Sequence, residues 1–154
     1  MLTRGAMPAD LETVASWITS PRDCRLWAGP DVTFPLQQDV LAAQIDLSRA
    51  ANLVLSDDGG VAAFGQLLLG APGRAHLARV IVRPDARGRG LGRELVAELL
   101  ERARTEGRSL ATLSVYPENL AAVRLYEALG FVRAEPPAGK PATPDSWYMT
   151  RGVG

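Results

Sequence analysis

The sequence predicts one domain of the α/β (α+β) class, with a mixed, mostly antiparallel central sheet of about six or seven strands flanked by about four helices. Two observations support this prediction. In the first half, β-favouring runs over 52–55 and 61–69 are joined through Asp57-Asp58-Gly59-Gly60, a hairpin turn signal. From residue 76 to residue 131, strand and helix patterns alternate. The length of 154 residues suits a single domain that covers 1–154.

The part of the chain before the hairpin is predicted to hold one strand and two helices. A short strand is predicted over 2–6 and a helix over about 8–20, where apolar residues recur at helical spacing. Prolines and the Gly29-Pro30 pair make 21–35 irregular, and this stretch is interpreted as a binding loop. A second helix is predicted over about 36–46.

The part after the hairpin alternates between strands and helices. The run over 75–85 is β-favouring until Pro84, which must end the strand. An amphipathic helix is predicted over 91–106, with its leucines on one stripe and Gly107 placed to end it. The remaining predicted elements are a strand over 109–115, a helix over 119–129, and strands over 131–134 and 147–151.

Composition and charge narrow the partners and the compartment. The 17 basic and 17 acidic side chains cancel, which argues against nucleic acid as a partner because its binding proteins carry a strongly basic face. The most apolar stretch, 61–70, is too short for a membrane-spanning helix, so no membrane partner is expected. The single Cys24 cannot form a disulfide within the chain, and the start lacks a secretory-signal pattern. A cytoplasmic location is therefore expected.

A loop rich in glycine and arginine, here called the glycine loop, precedes the helix over 91–106. It reads Arg87-Gly88-Arg89-Gly90-Leu91-Gly92. The first-turn N–H groups of a helix have no partners within the helix and form the positive end of its dipole, so an anion binds there, and glycines let it approach. A flexible turn with solvated charges is the alternative interpretation. Neither the Gly-Lys-Ser/Thr ending of a P-loop nor the Rossmann glycine spacing is present, which excludes both of those loops.

Two motifs resemble those of the GCN5-related N-acetyltransferase (GNAT) superfamily. Arg87, Gly90 and Gly92 match its pyrophosphate loop, Arg/Gln-x-x-Gly-x-Gly/Ala, and 117–131 (PENLAAVRLYEALGF) is similar to its second motif. Residues 1–50 match loosely. The resemblance implies the acyl-CoA N-acyltransferase fold and an N-acetyltransferase that moves the acetyl group of acetyl-CoA to a primary amine by direct attack in a ternary complex. It implies no metal and no covalent enzyme intermediate. A non-catalytic acyl-CoA-binding sensor is the alternative function.

The same resemblance implies a set of coenzyme-binding residues. The pyrophosphate is expected on the backbone of the glycine loop, and the pantetheine arm along the end of the preceding strand. A backbone N–H near Val80 would polarise the thioester carbonyl. Asn119 either contacts the coenzyme or caps the helix that follows it, and both alternatives stay open. The expected coenzyme-binding residues are Val80, Ile81, Val82, Arg87, Gly88, Arg89, Gly90, Leu91, Gly92 and Asn119.

Two residues are expected to move protons. By the resemblance, Tyr126 is a general acid that protonates the departing thiolate, with a core aromatic on the helix face as the alternative. Ser114 stands where one branch of the superfamily has a glutamate base, which argues against the branch that acetylates ribosomal-protein N-termini. His76 stands where the histone-type branch has its glutamate base, and a neutral imidazole accepts a proton. A surface histidine, with a water chain as the base, is the alternative.

The acceptor amine is expected near 17–34 and 136–145, by resemblance to the superfamily's substrate-binding regions. Three aromatic residues and three carboxylates lie in or near the first region. Either they form a wall that binds a cation, or the aromatic residues pack in the core and the carboxylates are ordinary surface charges. These residues are Trp17, Trp27, Phe34, Asp23, Asp31 and Asp39. Core packing is the favoured role of the aromatic residues. The expected partner is a small-molecule amine or a protein amine, and the expected assembly is a monomer or a homodimer.

Overall fold

The fold is a seven-stranded mixed sheet in a computed structural model that describes residues 2–138 and 143–154. The strand order is β1-β2-β3-β4-β5-β7-β6, and every neighbouring pair is antiparallel except β4 with β5, which is parallel. The strands are β1 Leu2–Gly5, β2 Ala50–Asp57, β3 Gly60–Leu68, β4 Arg74–Val82, β5 Leu110–Val115, β6 Val132–Arg133 and β7 Trp147–Gly152. The predicted α/β class and mostly antiparallel sheet are confirmed.

Five α-helices flank the sheet in the described part of the chain, one more than the sequence predicted. They are α1 Pro8–Ala15, α2 Pro21–Ala28, α3 Gln38–Gln44, α4 Leu91–Thr105 and α5 Leu120–Ala128. The prediction of a binding loop over 21–35 is therefore wrong in its first half. Ser20 caps α2 by accepting a hydrogen bond from the Asp23 N–H at 3.0 Å, and Pro21 fits the first helical position, where no N–H is needed.

The helices form two layers that bury opposite faces of the sheet. α4 and α5 cover one face, where Leu95 and Leu99 are fully buried in the larger core. α1, α2 and α3 cover the other face around a second core that includes Val14 and Phe64. The side chains of β4 alternate between these layers, as expected for a strand buried on both faces.

β4 and β5 separate before either strand ends. Their parallel pairing runs only from Arg74 with Leu110 to Leu77 with Leu113. Beyond this point β4 continues to Val82, and β5 continues to Val115, without pairing to each other. The sheet therefore contains a gap at the carboxyl ends of its two central strands, and α4 starts just beyond that gap.

A β-bulge lies in β4 beside the gap. Phe64 pairs with Ile81, but Gln66 pairs with Ala78, so Arg79 and Val80 together face Gly65. Arg79 has a φ of 51°, in the left-handed region that non-glycine residues rarely adopt. The bulge changes the direction of the backbone at the point where the strand leaves its partner.

Gly65 faces the bulge and leaves room for α4 to pack. A Cβ there would lie 3.1 Å from Leu95 Cδ2, 3.1 Å from Leu99 Cδ1 and 3.3 Å from Val80 Cγ2. We expect Gly65→Ala to lower the free energy of unfolding by about 1–3 kcal/mol, because a buried methyl group overpacks this contact. Urea denaturation measures the change. Gly70→Ala is the control, since a Cβ at Gly70 meets no atom within 4 Å, and equal stability of the two variants would contradict the expected overpacking.

Candidate functional site

A cavity of about 650 Å³ lies between the end of β4, the glycine loop and the start of α5. We call it the first cavity. Most of the expected coenzyme-binding residues line it, together with Tyr126; they are Val80, Ile81, Val82, Arg87, Gly88, Gly90, Leu91, Gly92 and Asn119. Arg89 and His76 do not line it. The structure thus brings residues from three separate segments to one surface.

The glycines of the loop serve two different purposes. Gly88 and Gly90 have φ angles of 79° and 80°, and a Cβ on either would meet no atom within 4 Å, so their backbone conformation, not crowding, requires glycine. Gly92 lies inside α4, where a Cβ would come within 3.2 Å of Leu125 Cδ2. Gly92 therefore allows α4 and α5 to approach each other.

The amino end of α4 is open toward the first cavity. Gly90 occupies the N-cap position and provides no side-chain cap, so the first-turn N–H groups have no side-chain acceptor there. These donors and the positive end of the dipole of this 15-residue helix face the space that the loop encloses. The arrangement suits a bound phosphate or other anion.

Arginine side chains surround the loop. Arg87 lines the first cavity, and its Nε donates to the Val82 carbonyl at 3.2 Å. Arg89 is exposed outside the cavity, where its Nη2 donates to the Asp85 carbonyl at 3.3 Å. Arg22 and Arg93 also line the first cavity, and sequence reasoning missed both as site residues. Their only sequence signal is position, in the first turns of α2 and α4.

Backbone polar groups at the end of β4 turn toward the gap. Arg83 N donates to the Ala62 carbonyl at 2.8 Å, and Ile81 is paired with Phe64. Because polar groups alternate sides along a strand, those of Val80 and Val82 point away from β3. They face the side that β5 has left, which agrees with the bond from Arg87 to the Val82 carbonyl.

Tyr126 is buried on α5 and lines the first cavity. Its ring packs edge-on against Phe131, with 5.8 Å between ring centres. Burial raises the pKa of its phenol to about 12, because the charged phenolate is disfavoured away from water. Its hydroxyl makes no hydrogen bond to any other residue of the described chain. The residue is thus part of the core and also presents a protonated hydroxyl at neutral pH.

Asn119 occupies the N-cap position of α5, but its side chain makes no capping hydrogen bond. Only its backbone takes part, since its carbonyl accepts a bond from Val123 N at 3.0 Å. The side-chain capping alternative is therefore wrong. Asn119 lines the first cavity beside Leu120 and Glu118, which leaves its amide available to a ligand.

A second cavity, of about 480 Å³, lies on the other side of Trp27 and Leu26, which line both cavities. It is bounded by residues 26–31, by β4 from His76 to Arg79, by β5 from Ser114 and by 133–136 with β7. Three carboxylates line it, from Asp31, Asp46 and Glu135. The expected acceptor segment 136–145 contributes to it, except that 139–142 lie outside the described residues.

α2 spans the opening of the gap. On one side, the indole N–H of Trp27 donates to the Arg79 carbonyl at 3.0 Å. On the other side, the guanidinium of Arg25 lies 4.0 Å from the centre of the Tyr116 ring and 3.1 Å from the carboxylate of Glu118. α2 is therefore attached both to β4 and to the segment that follows β5.

His76 and Ser114 both line the second cavity. The Nδ1 atom of His76 lies 2.7 Å from the Thr112 hydroxyl, across the parallel pairing of β4 and β5. His76 precedes Val80 by four positions, which corresponds to roughly 13 Å along an extended strand. Ser114 is exposed and lies one residue beyond the last β4–β5 pair.

The expected aromatic wall is mainly core. Trp17 and Trp27 are 8% and 7% exposed and pack in the core beneath α1, α2 and α3, with Phe34 partly buried against them. Only Trp27 reaches the second cavity. Of the expected counter-charges, Asp31 lines the second cavity, Asp23 lines the first, and Asp39 lies exposed on α3.

Sequence reasoning missed several residues of the second cavity. The guanidinium of Arg133 lies 4.1 Å from the centre of the Trp147 ring, and Tyr116 and Tyr148 complete its aromatic lining. The aromatic residues of the last strand, Trp147 and Tyr148, were the sequence signal that could have indicated this part of the cavity. Arg79 was also missed, although a charged residue in the middle of an apolar strand is itself unusual.

Two classes of feature are absent from the residues that the structure describes. No helix within 2–138 or 143–154 is long and apolar enough to cross a membrane. Across the same residues, no group of three or more His, Cys, Asp or Glu side chains converges to hold a metal ion.

The chain is similar to known N-acetyltransferases. A family model described as acetyltransferase (GNAT) family matches residues 15–131. An uncharacterised N-acetyltransferase of Schizosaccharomyces pombe is 35% identical over 79% of this chain and 77% of its own length. The ribosomal protein bS18-alanine N-acetyltransferase of Salmonella typhimurium is 41% identical over 56% of this chain, and the match spans 57% of that enzyme's length. The crystal structure of the Escherichia coli ribosomal-protein-S18-alanine N-acetyltransferase has a TM-score of 0.73 and 26% identity, over 99% of this chain and 93% of the other. The expectation that Ser114 separates the chain from that branch stays a prediction.

Proposed function

This chain belongs to the acetyltransferase (GNAT) family, and we propose that it is an enzyme that transfers the acetyl group of acetyl-CoA to a primary amine. The amine attacks the thioester directly in a ternary complex, so no covalent enzyme intermediate forms. The observation that carries this function is that two cavities lie side by side at the gap between β4 and β5. Trp27 and Leu26 form the wall between them. A donor and an acceptor can therefore reach the same strand end from separate cavities.

The first cavity suits a coenzyme that carries a diphosphate. The open first turn of α4 offers N–H donors, and the space beside Gly88 and Gly90 is free of protein atoms. Arg87 contributes positive charge inside the cavity, and Arg89 contributes it from outside. Acetyl-CoA supplies an acetyl group activated as a thioester. The backbone groups of Val80 and Val82 that face the gap would hold the arm of the coenzyme as a neighbouring strand does, and Ile81 between them would line the cavity.

Two groups would stabilise charge as the amine attacks. The Val80 N–H, turned toward the gap, would donate to the oxygen of the thioester carbonyl as negative charge develops there. The Tyr126 hydroxyl would donate a proton to the departing thiolate, since a phenol is protonated at neutral pH. The side chain of Asn119 would contact the coenzyme.

The attacking amine must first lose a proton, and we propose that His76 receives it through water. His76 and Val80 are four positions apart on β4, at most roughly 13 Å along the strand, a separation that a chain of waters can bridge. The second cavity extends from His76 to Arg79, the residue before Val80. Ser114, at the same surface, lies where it can order such a water by hydrogen bonding.

The acceptor is proposed to enter through the second cavity. The carboxylates of Asp46 and Glu135 attract an amine in its cationic form, whereas that of Asp31 is paired with Arg79 at 3.0 Å. A third cavity of about 440 Å³ adjoins the second and shares Leu68, His76 and Tyr148 with it. This added space suits the α-amine of a polypeptide, with the following residue in the third cavity. Small-molecule amines are the other acceptor class.

Compartment and assembly are proposed from composition. Cys24 is the single cysteine and is buried, so the chain has no disulfide that requires an oxidising compartment, and we place the protein in the cytoplasm. A monomer or a homodimer is proposed, and sedimentation velocity tests it. Neither nucleic acid nor a membrane is a proposed partner.

Thiol release from acetyl-CoA tests the proposed function. The amine panel contains peptides with a free α-amine, lysine peptides with a blocked N-terminus, and small amines. Calorimetry with coenzyme A measures binding in parallel. We expect binding, and release with at least one class of amine. Binding without release from any amine would identify the acyl-CoA sensor instead, and failure to bind coenzyme A would reject both functions.

Replacement of His76 tests the proposed base. We expect His76→Gln to lower kcat by about 10-fold at neutral pH and to remove the acidic inflection of kcat/KM, because a base must be unprotonated to act. The pH profile of thiol release measures both effects. Thr112→Val is the matched control for loss of the contact between these two side chains. An acidic inflection that persists in His76→Gln would remove His76 from the mechanism.

A further inference from the structure

Arg79 occupies a strained backbone position at the centre of the site. Its φ of 51° places it in the left-handed region, which is strained for a residue with a Cβ. Its side chain is only 7% exposed, although guanidinium groups are seldom buried. Such a conformation persists only where its surroundings enforce it.

The guanidinium of Arg79 is held by hydrogen bonds to two side chains. Its Nη1 donates to the Gln66 side-chain oxygen at 2.8 Å, and its Nη2 donates to the Asp31 carboxylate at 3.0 Å. Gln66 is itself fixed, because its amide donates to the Ile45 carbonyl at 2.9 Å and to the Asn52 side chain at 2.7 Å. A buried polar network therefore anchors the tip of this side chain to β2, β3 and the end of α3.

The backbone of Arg79 is held separately by Trp27. The indole N–H of Trp27 donates to the Arg79 carbonyl at 3.0 Å in a buried position. That carbonyl and the Val80 N–H belong to one planar peptide unit. A bond that fixes the carbonyl therefore also fixes the direction in which the Val80 N–H points.

We propose that Arg79 and Trp27 are positioning residues, which hold the peptide unit between Arg79 and Val80 so that the Val80 N–H meets the thioester oxygen. This inference rests on the proposed function. The Nη1 and Nη2 groups of Arg79 donate to Gln66 and Asp31, and the indole N–H of Trp27 donates to the Arg79 carbonyl, so these groups act on the peptide unit and not on the reacting atoms. Their effect is on the transition state, where the N–H bond strengthens, and hence on kcat.

Trp27→Phe is the principal test, because it keeps an aromatic ring and removes the indole donor. We expect kcat to fall about 10-fold, less than the 10²–10³-fold loss typical of removing an oxyanion donor outright. The dissociation constant for coenzyme A should change by less than about 3-fold. Val14→Ala, in the same core and away from both cavities, controls for loss of stability. We expect its kcat to match that of the wild type.

Two substitutions of Arg79 distinguish the effect of its backbone conformation from the effect of its side chain. Glycine adopts a positive φ without strain, whereas alanine does not. We expect Arg79→Ala to lose more kcat than Arg79→Gly, at comparable affinity for coenzyme A. Equal losses in the two variants would overturn the role of the backbone conformation at this position.

A spectroscopic measurement needs no acceptor amine. The carbonyl stretch of acetyl-CoA labelled with ¹³C at the carbonyl falls in frequency when the oxygen accepts a hydrogen bond. We expect a lowered frequency on the wild-type protein and a smaller shift on Trp27→Phe. An unchanged shift and unchanged kcat in Trp27→Phe would overturn this inference alone. A wild-type protein that binds coenzyme A but releases no thiol would overturn the proposed function as well.

Discussion

Gly90→Asp is expected to weaken coenzyme A binding by about 100-fold. The new carboxylate would stand at the open end of α4, where the diphosphate is proposed to lie. Two like charges about 6 Å apart in an effective dielectric of about 20 repel by about 3 kcal/mol, which corresponds to about 100-fold in affinity. Isothermal titration calorimetry with coenzyme A measures the loss.

Gly90→Asn is the matched control for this substitution. Asparagine has the same shape as aspartate and tolerates the positive φ of 80° at this position about as well, but it carries no charge. We expect its affinity to fall by a few-fold at most. The ratio between the two variants should shrink as salt is added, because salt screens exposed charges. Equal affinities of the two variants would remove the diphosphate from the glycine loop.

Tyr126→Phe is expected to lower kcat by about 100-fold and to leave the affinity for coenzyme A nearly unchanged. The phenol is proposed to protonate the thiolate, and general acids typically contribute 10²–10⁴-fold. Phenylalanine keeps the ring that packs against Phe131, so the fold should survive. Steady-state thiol release measures kcat. An unchanged kcat would leave Tyr126 with its core role only.

The pH dependence of unfolding provides an independent check on the environment of Tyr126. Burial raises the pKa of this phenol to about 12 from an ordinary value of 10. Between these values the unfolded chain has already lost the proton and the folded chain keeps it, so stability falls as pH rises from about 10 to 12. We expect Tyr126→Phe to show a shallower alkaline decline. Identical declines would mean that the phenol is not buried in solution.

Sequence patterns predicted the second half of the fold more closely than the first. The stripe of α4 and its start at Leu91 follow from one continuous apolar pattern and a glycine before it. α2 was missed because Pro21 was interpreted as a helix breaker, although proline at the first helical position fits a helix. A local pattern does not distinguish these two uses of proline.

The parts of the candidate site that lie within a sequence motif could be predicted. The parts that depend on tertiary contacts could not. The glycine loop and Asn119 lie within contiguous motifs, and they converge on one cavity because α4 and α5 pack together. Arg79 depends on Gln66 and Asp31, which are far from it in sequence, so its role could not be deduced from spacing. His76 was identified by position, but its contact with Thr112 depends on the parallel register of β4 and β5.

α2 bridges the two parts of the sheet on either side of the gap. It is attached to β4 through Trp27 and to the segment after β5 through Arg25, at the place where the pairing of the two strands has stopped. A ligand arm entering between them then has no strand pairing to break. The opening is already present in the folded protein. Binding therefore loses no free energy to creating it.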